Sequence, residues 1–159
     1  MRHPHIVNVD EMEWNERSHG ERFAMQHKWL GNKAGGKKLG CGLYRIAPGK
    51  TAFPIHFHHA NDEAMFILEG EGTLRLGAER FPVRKGDYIA FPAGEPLGHQ
   101  LINTSAAPLE YLCMSTLIEP EIVEYPDSGK VGAMAGTLPK PAFRGIFRKD
   151  GTVDYYEGE

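Results

Sequence analysis

Four side chains in this sequence have the types and spacings to share one divalent metal ion: His56, His58, Glu63 and His99. His56 and His58 stand two apart in TAFPIHFHH, so on a strand both imidazoles leave the same face and Phe57 leaves the other. The turn-forming residues HAND follow, and the chain returns as EAMFILEG with Glu63 at its start, beside the two histidines across the hairpin. Two imidazoles and a carboxylate at one point suit a divalent transition ion. A third imidazole has to come from elsewhere, and His99, which opens HQLIN after FPAGEPLG, is the candidate. A lone His-x-His pair is common without metal, so the weight lies in the combination. His59 alternates away from His58 and is placed outside the ligand set. His3, His5, His19 and His27 are assigned a surface role.

Ligands drawn from two remote segments must be positioned by strands that meet in space. From Leu39 to Ile118 the chain is a series of short apolar runs, each bounded by Gly, Pro, Asn or Asp. Such spacing, without sustained helical periodicity, predicts an all-β sandwich or barrel. TLRLGAERFPV reads as a hairpin turning at Gly77–Ala78. The stretch from Asp10 to Trp29 is expected to hold a short helical or extended arm. Residues 120–159, rich in Pro and Gly, read as an irregular extension ending in a hairpin at Lys149–Gly151. The organisation expected is one domain: an N-terminal arm (1–38), a β-barrel core (39–118) and a C-terminal extension packed on it (119–159).

The 159 residues suffice for one hydrophobic core, with 41% apolar and 25% charged residues. A net charge of −3, with no basic cluster beyond Lys37–Lys38, argues against nucleic acid as a partner. No apolar run approaches the roughly 20 residues that span a bilayer. The N-terminus lacks an apolar signal core, so a cytoplasmic location is expected. Cys41 and Cys113 form no metal-binding pattern, and no disulfide is expected between them.

The punctuation around the four ligands resembles that of the cupins. Cupins carry a first motif G-x5-HxH-x3,4-E-x6-G and a second G-x5-PxG-x2-H-x3-N. This chain supplies Gly49, His56, His58, Glu63 and Gly70, then Gly86, Pro92, Gly94, His99 and Asn103. It departs from the pattern by one extra residue before His56 and two before His99, both in expected turns. The resemblance covers about Leu39 to Ile118 and implies a double-stranded β-helix, or jelly-roll barrel. Gly70, Gly86 and Gly94 then fall at sharp turns and Pro92 at a strand end. It also implies a homodimer, since small cupins are commonly paired across an apolar outer face.

Strict alternation would point Ala52 and Pro54 inward with the histidines, and Phe53, Ile55 and Phe57 outward. On the returning strand it would send Met65 and Ile67 inward with Glu63, and Ala64, Phe66 and Leu68 outward. That apolar outer face has to be covered by the arm, the extension or a second copy. Met65, Ile67, Leu101 and Ala52 would line a mainly apolar pocket. Three imidazoles and one carboxylate leave coordination positions open, the mark of a catalytic site, on Zn, Mn, Fe, Ni or Cu(II). Three functions stay open. The first is a metal-dependent enzyme on a small oxygenated molecule, such as a sugar-phosphate isomerase or epimerase, as some small cupins are. Glu63 would be its base, and Arg45, Lys50 or Arg75 its phosphate anchor. The others are a dioxygenase and a binding or sensing module without turnover.

Overall fold

A computed structural model describes residues 2–136 and 140–159. The alternating apolar runs become thirteen strands among these residues, in three hydrogen-bonded groups. The largest sheet comprises β1 (Asn15–His19), β2 (Phe23–Trp29), β3 (Leu39–Ile46), β5 (Glu63–Glu69), β8 (Tyr88–Phe91) and β10 (Leu109–Thr116), in the order β1-β2-β3-β10-β5-β8. Across it lie β6 (Glu71–Leu76), β7 (Glu79–Arg84) and β9 (His99–Ile102), ordered β7-β6-β9. The third group, β13-β12-β11-β4, joins the short β4 (Phe57–His58) to β11 (Glu121–Tyr125), β12 (Lys130–Ala135) and β13 (Phe143–Arg148). Isolated bridges Thr51↔Ile102 and His56↔His99 tie the groups together as a jelly roll.

Side chains facing inward from the opposed sheets build one core. Met25, Tyr44, Ile46, Met65, Ile67, Leu74, Val83, Phe91, Leu101, Leu109 and Tyr111 are all buried in it. Asn103 is fully buried and pins the turn after β9. Its amide donates to the carbonyls of Ile46 and Ala107, and its oxygen accepts from Ser105. Each of these bonds satisfies a polar group that water cannot reach.

The N-terminal arm supplies two strands: β1 and β2 extend the largest sheet beyond β3. It includes one short α-helix, α1 (Leu30–Lys33). Trp14 lies 4.3 Å from both Lys28 Nζ and the Arg45 guanidinium, covering part of the outer face. The C-terminal extension covers Ile55 and Phe57. Its β11 pairs with β4, and Pro126 meets Ile55 over Gly98, where a Cβ would stand 3.0–3.2 Å from both side chains. The far side of the large sheet keeps Leu39 and Tyr88 exposed, beside Ala64, Ala90 and Met114.

Two expectations are corrected. The chain does not return in a hairpin at Lys149–Gly151; the hairpins of the extension are β11–β12 and β12–β13, and residues 151–159 form no strand. Strict alternation also fails between Ala52 and Ile55, which form no strand. Pro54 lacks the N–H that a ladder needs, and the bend swings Phe53 inward, to 5.7 Å from Tyr44 and 6.1 Å from His56. The Gly77 hairpin is present as β6–β7, closed by Leu76↔Glu79.

Gly70 joins β5 to β6 at φ +84°, and a Cβ there would lie 2.5 Å from the Pro108 carbonyl oxygen. Strain and a backbone clash therefore coincide. Gly70→Ala is expected to lower unfolding free energy by about 2–4 kcal/mol in urea titration.

Candidate metal centre

The ligand candidates arrive on three elements. His56 and His58 flank the start of β4, Glu63 opens β5, and His99 opens β9. Their ligand atoms lie within 4.8 Å of one another. The backbone explains the convergence. The His56 N–H donates to the His99 carbonyl (3.2 Å) and the His99 N–H to the His56 carbonyl (2.8 Å), so the two residues stand opposite each other. Side chains directly across an antiparallel bridge share a face. Their ring centroids are 4.5 Å apart.

Each ring is aimed by a neighbour. His56 Nδ1 donates to the Pro54 carbonyl at 2.8 Å, which leaves Nε2 to face the cluster. His99 is 1% exposed and lies flat on Phe91, centroids 3.8 Å apart at 14°. Its Nε2 is 3.1 Å from Glu63 Oε1. His58 sits between two carboxylates, with Nε2 3.4 Å from Glu63 Oε2 and Nδ1 3.5 Å from Glu121 Oε2. Neither contact is a well-formed hydrogen bond, and both nitrogens of His58 are buried without a partner, as is Nδ1 of His99.

Glu121 is the residue that sequence reading missed. It lies on β11, in the extension, and is 4% exposed. Its Oε1 accepts from the backbone N–H groups of His59 and Ala60 at 3.2 Å, and Oε2 from the Asn61 amide. It therefore both shapes the turn between the ligands and stands behind His58. No spacing rule ties residue 121 to residue 58. The only sign was an acid opening an apolar run.

The electrostatics follow from burial and this crowding. Burial, then the neighbouring His99, pushes His56 down to about 4, so it is neutral at physiological pH. Burial also opposes charge on His58, but its contacts with Glu121 and Glu63 outweigh it and raise this imidazole to about 9. Glu63 is held well below the usual carboxylate range, because His58 and His99 outweigh the burial that would raise it. Glu121 is lowered against its burial by His58, Asn61 and the Ala60 N–H.

These residues fit a divalent ion. Three imidazoles and a carboxylate converge, His58 Nε2 is buried among them without a partner, and two rings have a backbone carbonyl or a carboxylate behind them.

The remaining predicted residues fall as follows. His59 is exposed and meets Glu124 at 3.0 Å. His27 is half-buried and not on the open surface: it stacks on Tyr44, with Nδ1 buried and unpartnered. Met65, Ile67 and Leu101 are spent in the core. Ala52, with Phe53 and Pro54, lines a cleft of about 370 Å³ beside His56. The three proposed phosphate anchors are committed elsewhere. Arg45 pairs with Glu110 at 2.7 Å, Lys50 donates to the Glu21 carbonyl, and Arg75 grips both oxygens of Asp127. Cys41 and Cys113 are both free, and burial and Glu63 push the Cys113 thiol well up.

Comparisons with known proteins agree with the fold. Residues 42–115 match the family model "Cupin domain". Over 102 residues the chain is 32% identical to quercetin 2,3-dioxygenase of Bacillus subtilis, covering 61% of this chain and 30% of that one. The chain spans less than two thirds of the length of the curated relatives it matches. Two crystal structures match nearly end to end. A candidate sugar phosphate isomerase from Acidithiobacillus ferrooxidans superposes with TM-score 0.82 at 23% identity, over 97% of this chain and 98% of that one. A sugar phosphate isomerase from a cupin superfamily, from Silicibacter pomeroyi, gives 0.80 at 27% identity, over 92% and 94%.

Metal analysis of the purified protein should find one divalent ion per chain, lost in His56→Ala and His99→Ala. Glu121→Gln should keep the fold but weaken metal affinity about 10–100-fold in competition with a chelator. A metal must displace the His58 proton below pH of about 9. Affinity should therefore rise with pH up to that point, and calorimetry at pH 7 in buffers of differing ionisation enthalpy should show proton release.

Proposed function

From the premise that this chain is a small cupin protein, we propose that it is a divalent-metal enzyme acting on a sugar or sugar phosphate, as an isomerase or epimerase. One observation carries the reading: His56, His58, Glu63 and His99 form a single cluster with ligand atoms within 4.8 Å, beside a cleft large enough for a small polar molecule. Bound there, the ion would polarise adjacent oxygens of the substrate. The match of the Silicibacter pomeroyi enzyme over 94% of its length supports the substrate class.

In this reading the chain's own groups divide the work. His56, His58 and His99 would hold a divalent ion through Nε2. Glu63 stays ionised throughout the physiological range, and its carboxylate takes a proton from the substrate carbon and gives it back to complete the isomerisation. Burial keeps the Tyr44 and Tyr111 hydroxyls protonated, so neither serves as a base. Phe53 and Phe91 keep water from the imidazoles. A second copy of the chain covers the apolar strip of Leu39, Ala64, Tyr88, Ala90 and Met114.

The 32% identity to quercetin 2,3-dioxygenase supports a second reading, oxygen chemistry on an iron-loaded site. The two readings separate in one comparison. Protein loaded in turn with Mn, Zn, Ni or Fe(II) is incubated in D₂O with a panel of sugar phosphates, and separately under air in an oxygen electrode. The isomerase reading expects deuterium on the carbon beside the carbonyl, lost at least 100-fold in Glu63→Gln. Oxygen uptake without exchange would replace it with the dioxygenase. Sedimentation of the same samples should give twice the chain mass.

A further inference from the structure

The phosphate anchors expected from sequence are all engaged elsewhere, yet a different set of cations meets at one place. β1 lies at the edge of the largest sheet, and its register with β2 puts Arg17 opposite Met25 and His19 opposite Phe23. Met25 is a core residue, so Arg17 and His19 lie on the same side of the sheet as it does, and at this edge both stay exposed. Across from them stands Lys130, at the start of β12. Together with Arg22, Ser18, Ser128 and Gln100, these residues line the cleft of about 370 Å³ whose floor is Ala52, Phe53 and Pro54.

The cleft holds more positive charge than it neutralises. Its one acid is Asp127, and both oxygens of Asp127 are already gripped by the Arg75 guanidinium at 2.7 and 2.9 Å. Arg17, Arg22 and Lys130 remain. Arg22 is held in place by Gln100: its Nη2 donates to Gln100 Oε1 at 3.1 Å, and the buried Gln100 is fixed by donating to the Phe53 carbonyl at 2.7 Å. Lys130 Nζ lies 5.7 Å from the Tyr125 ring. In a chain of net charge −3, such a local excess attracts anions, above all dianions that take several charged donors at once.

The same cleft is one residue from the metal centre. Phe53 lines it and lies 6.1 Å from the His56 ring. Pro54 lines it and accepts the His56 Nδ1 proton. Tyr125 separates Lys130 from His56, its ring 6.2 Å from the imidazole. A phosphate held by the cations would leave the rest of a five- or six-carbon chain pointing at the ligand cluster.

We propose that Arg17, Arg22 and Lys130 form a phosphate-binding subsite that anchors a phosphate monoester, with its carbon chain directed past Phe53 to the metal ligands. This deepens the reading above and rests on it for the identity of the carbon chain; the anion site itself stands on the geometry of the cleft.

The test is isothermal titration of the metal-loaded full-length protein with inorganic phosphate, glucose 6-phosphate and glucose at constant ionic strength. Saturable binding is expected for the two phosphates and not for glucose. Arg17→Met and Lys130→Met should each weaken phosphate binding about tenfold. Both side chains lie at the rim, and an unchanged melting temperature and metal content would show the fold and metal site intact. If phosphate fails to bind saturably, or binds both variants as tightly as the parent, the subsite is overturned. Phosphate binding that responds to the variants, with no deuterium exchange into any sugar phosphate, would keep the subsite and sink the isomerase.

Discussion

The pair of backbone hydrogen bonds between His56 and His99 is the constraint on which the rest depends. Forty-three positions apart in numbering, these residues exchange N–H and carbonyl in a single isolated bridge. One pair of bonds is a weak tether alone. It is held because β9 is paired along its length with β6, and β4 with β11. Once the bridge exists, both imidazoles have to leave the same face. Strand β5, in the largest sheet, then needs only to begin at the right residue for Glu63 to join them.

A cluster of this kind carries its own electrostatic balance. Three imidazoles in mutual contact repel one another's protons, which is part of why His56 is driven down. The carboxylates offset the remaining charge: Glu63 reaches both His58 and His99, while Glu121 faces His58 from behind. Buried charge is tolerated only when partnered in this way. The same contacts hold the donors close together and pointed at a common centre, so an ion would bind there with little reorganisation.

Much of this was legible in the residues, for identifiable reasons. The two-residue period of a strand put His56 and His58 on one face, and Gly and Pro marked the turns; Gly70, Gly86 and Gly94 all take positive φ. Local rules failed where local geometry was broken. Pro54 ended the alternation, so Phe53, expected outside, became part of the cleft wall. They failed also where the partner was remote: nothing in sequence pairs Glu121 with His58, or sets Arg17 across from Lys130. The expected anchors Arg45, Lys50 and Arg75 lie near the barrel strands along the chain, but ion pairing with Glu110 and Asp127 claims two of them. His27 lies in a segment whose residues suggest an arm, whereas β2 is an inner member of the largest sheet.

The place of Glu121 has a consequence for anyone recombining such proteins. The segment that matches the family ends at residue 115, six positions short of this carboxylate, and the Asn61 amide and two backbone N–H groups of the ligand turn all close onto it. A chimera that grafted only the matched segment onto a foreign tail would carry every imidazole, yet leave three hydrogen-bond donors and one ring nitrogen facing an unknown surface. The natural unit of exchange in this molecule therefore runs through β11, and the boundary drawn by similarity falls inside the functional machinery.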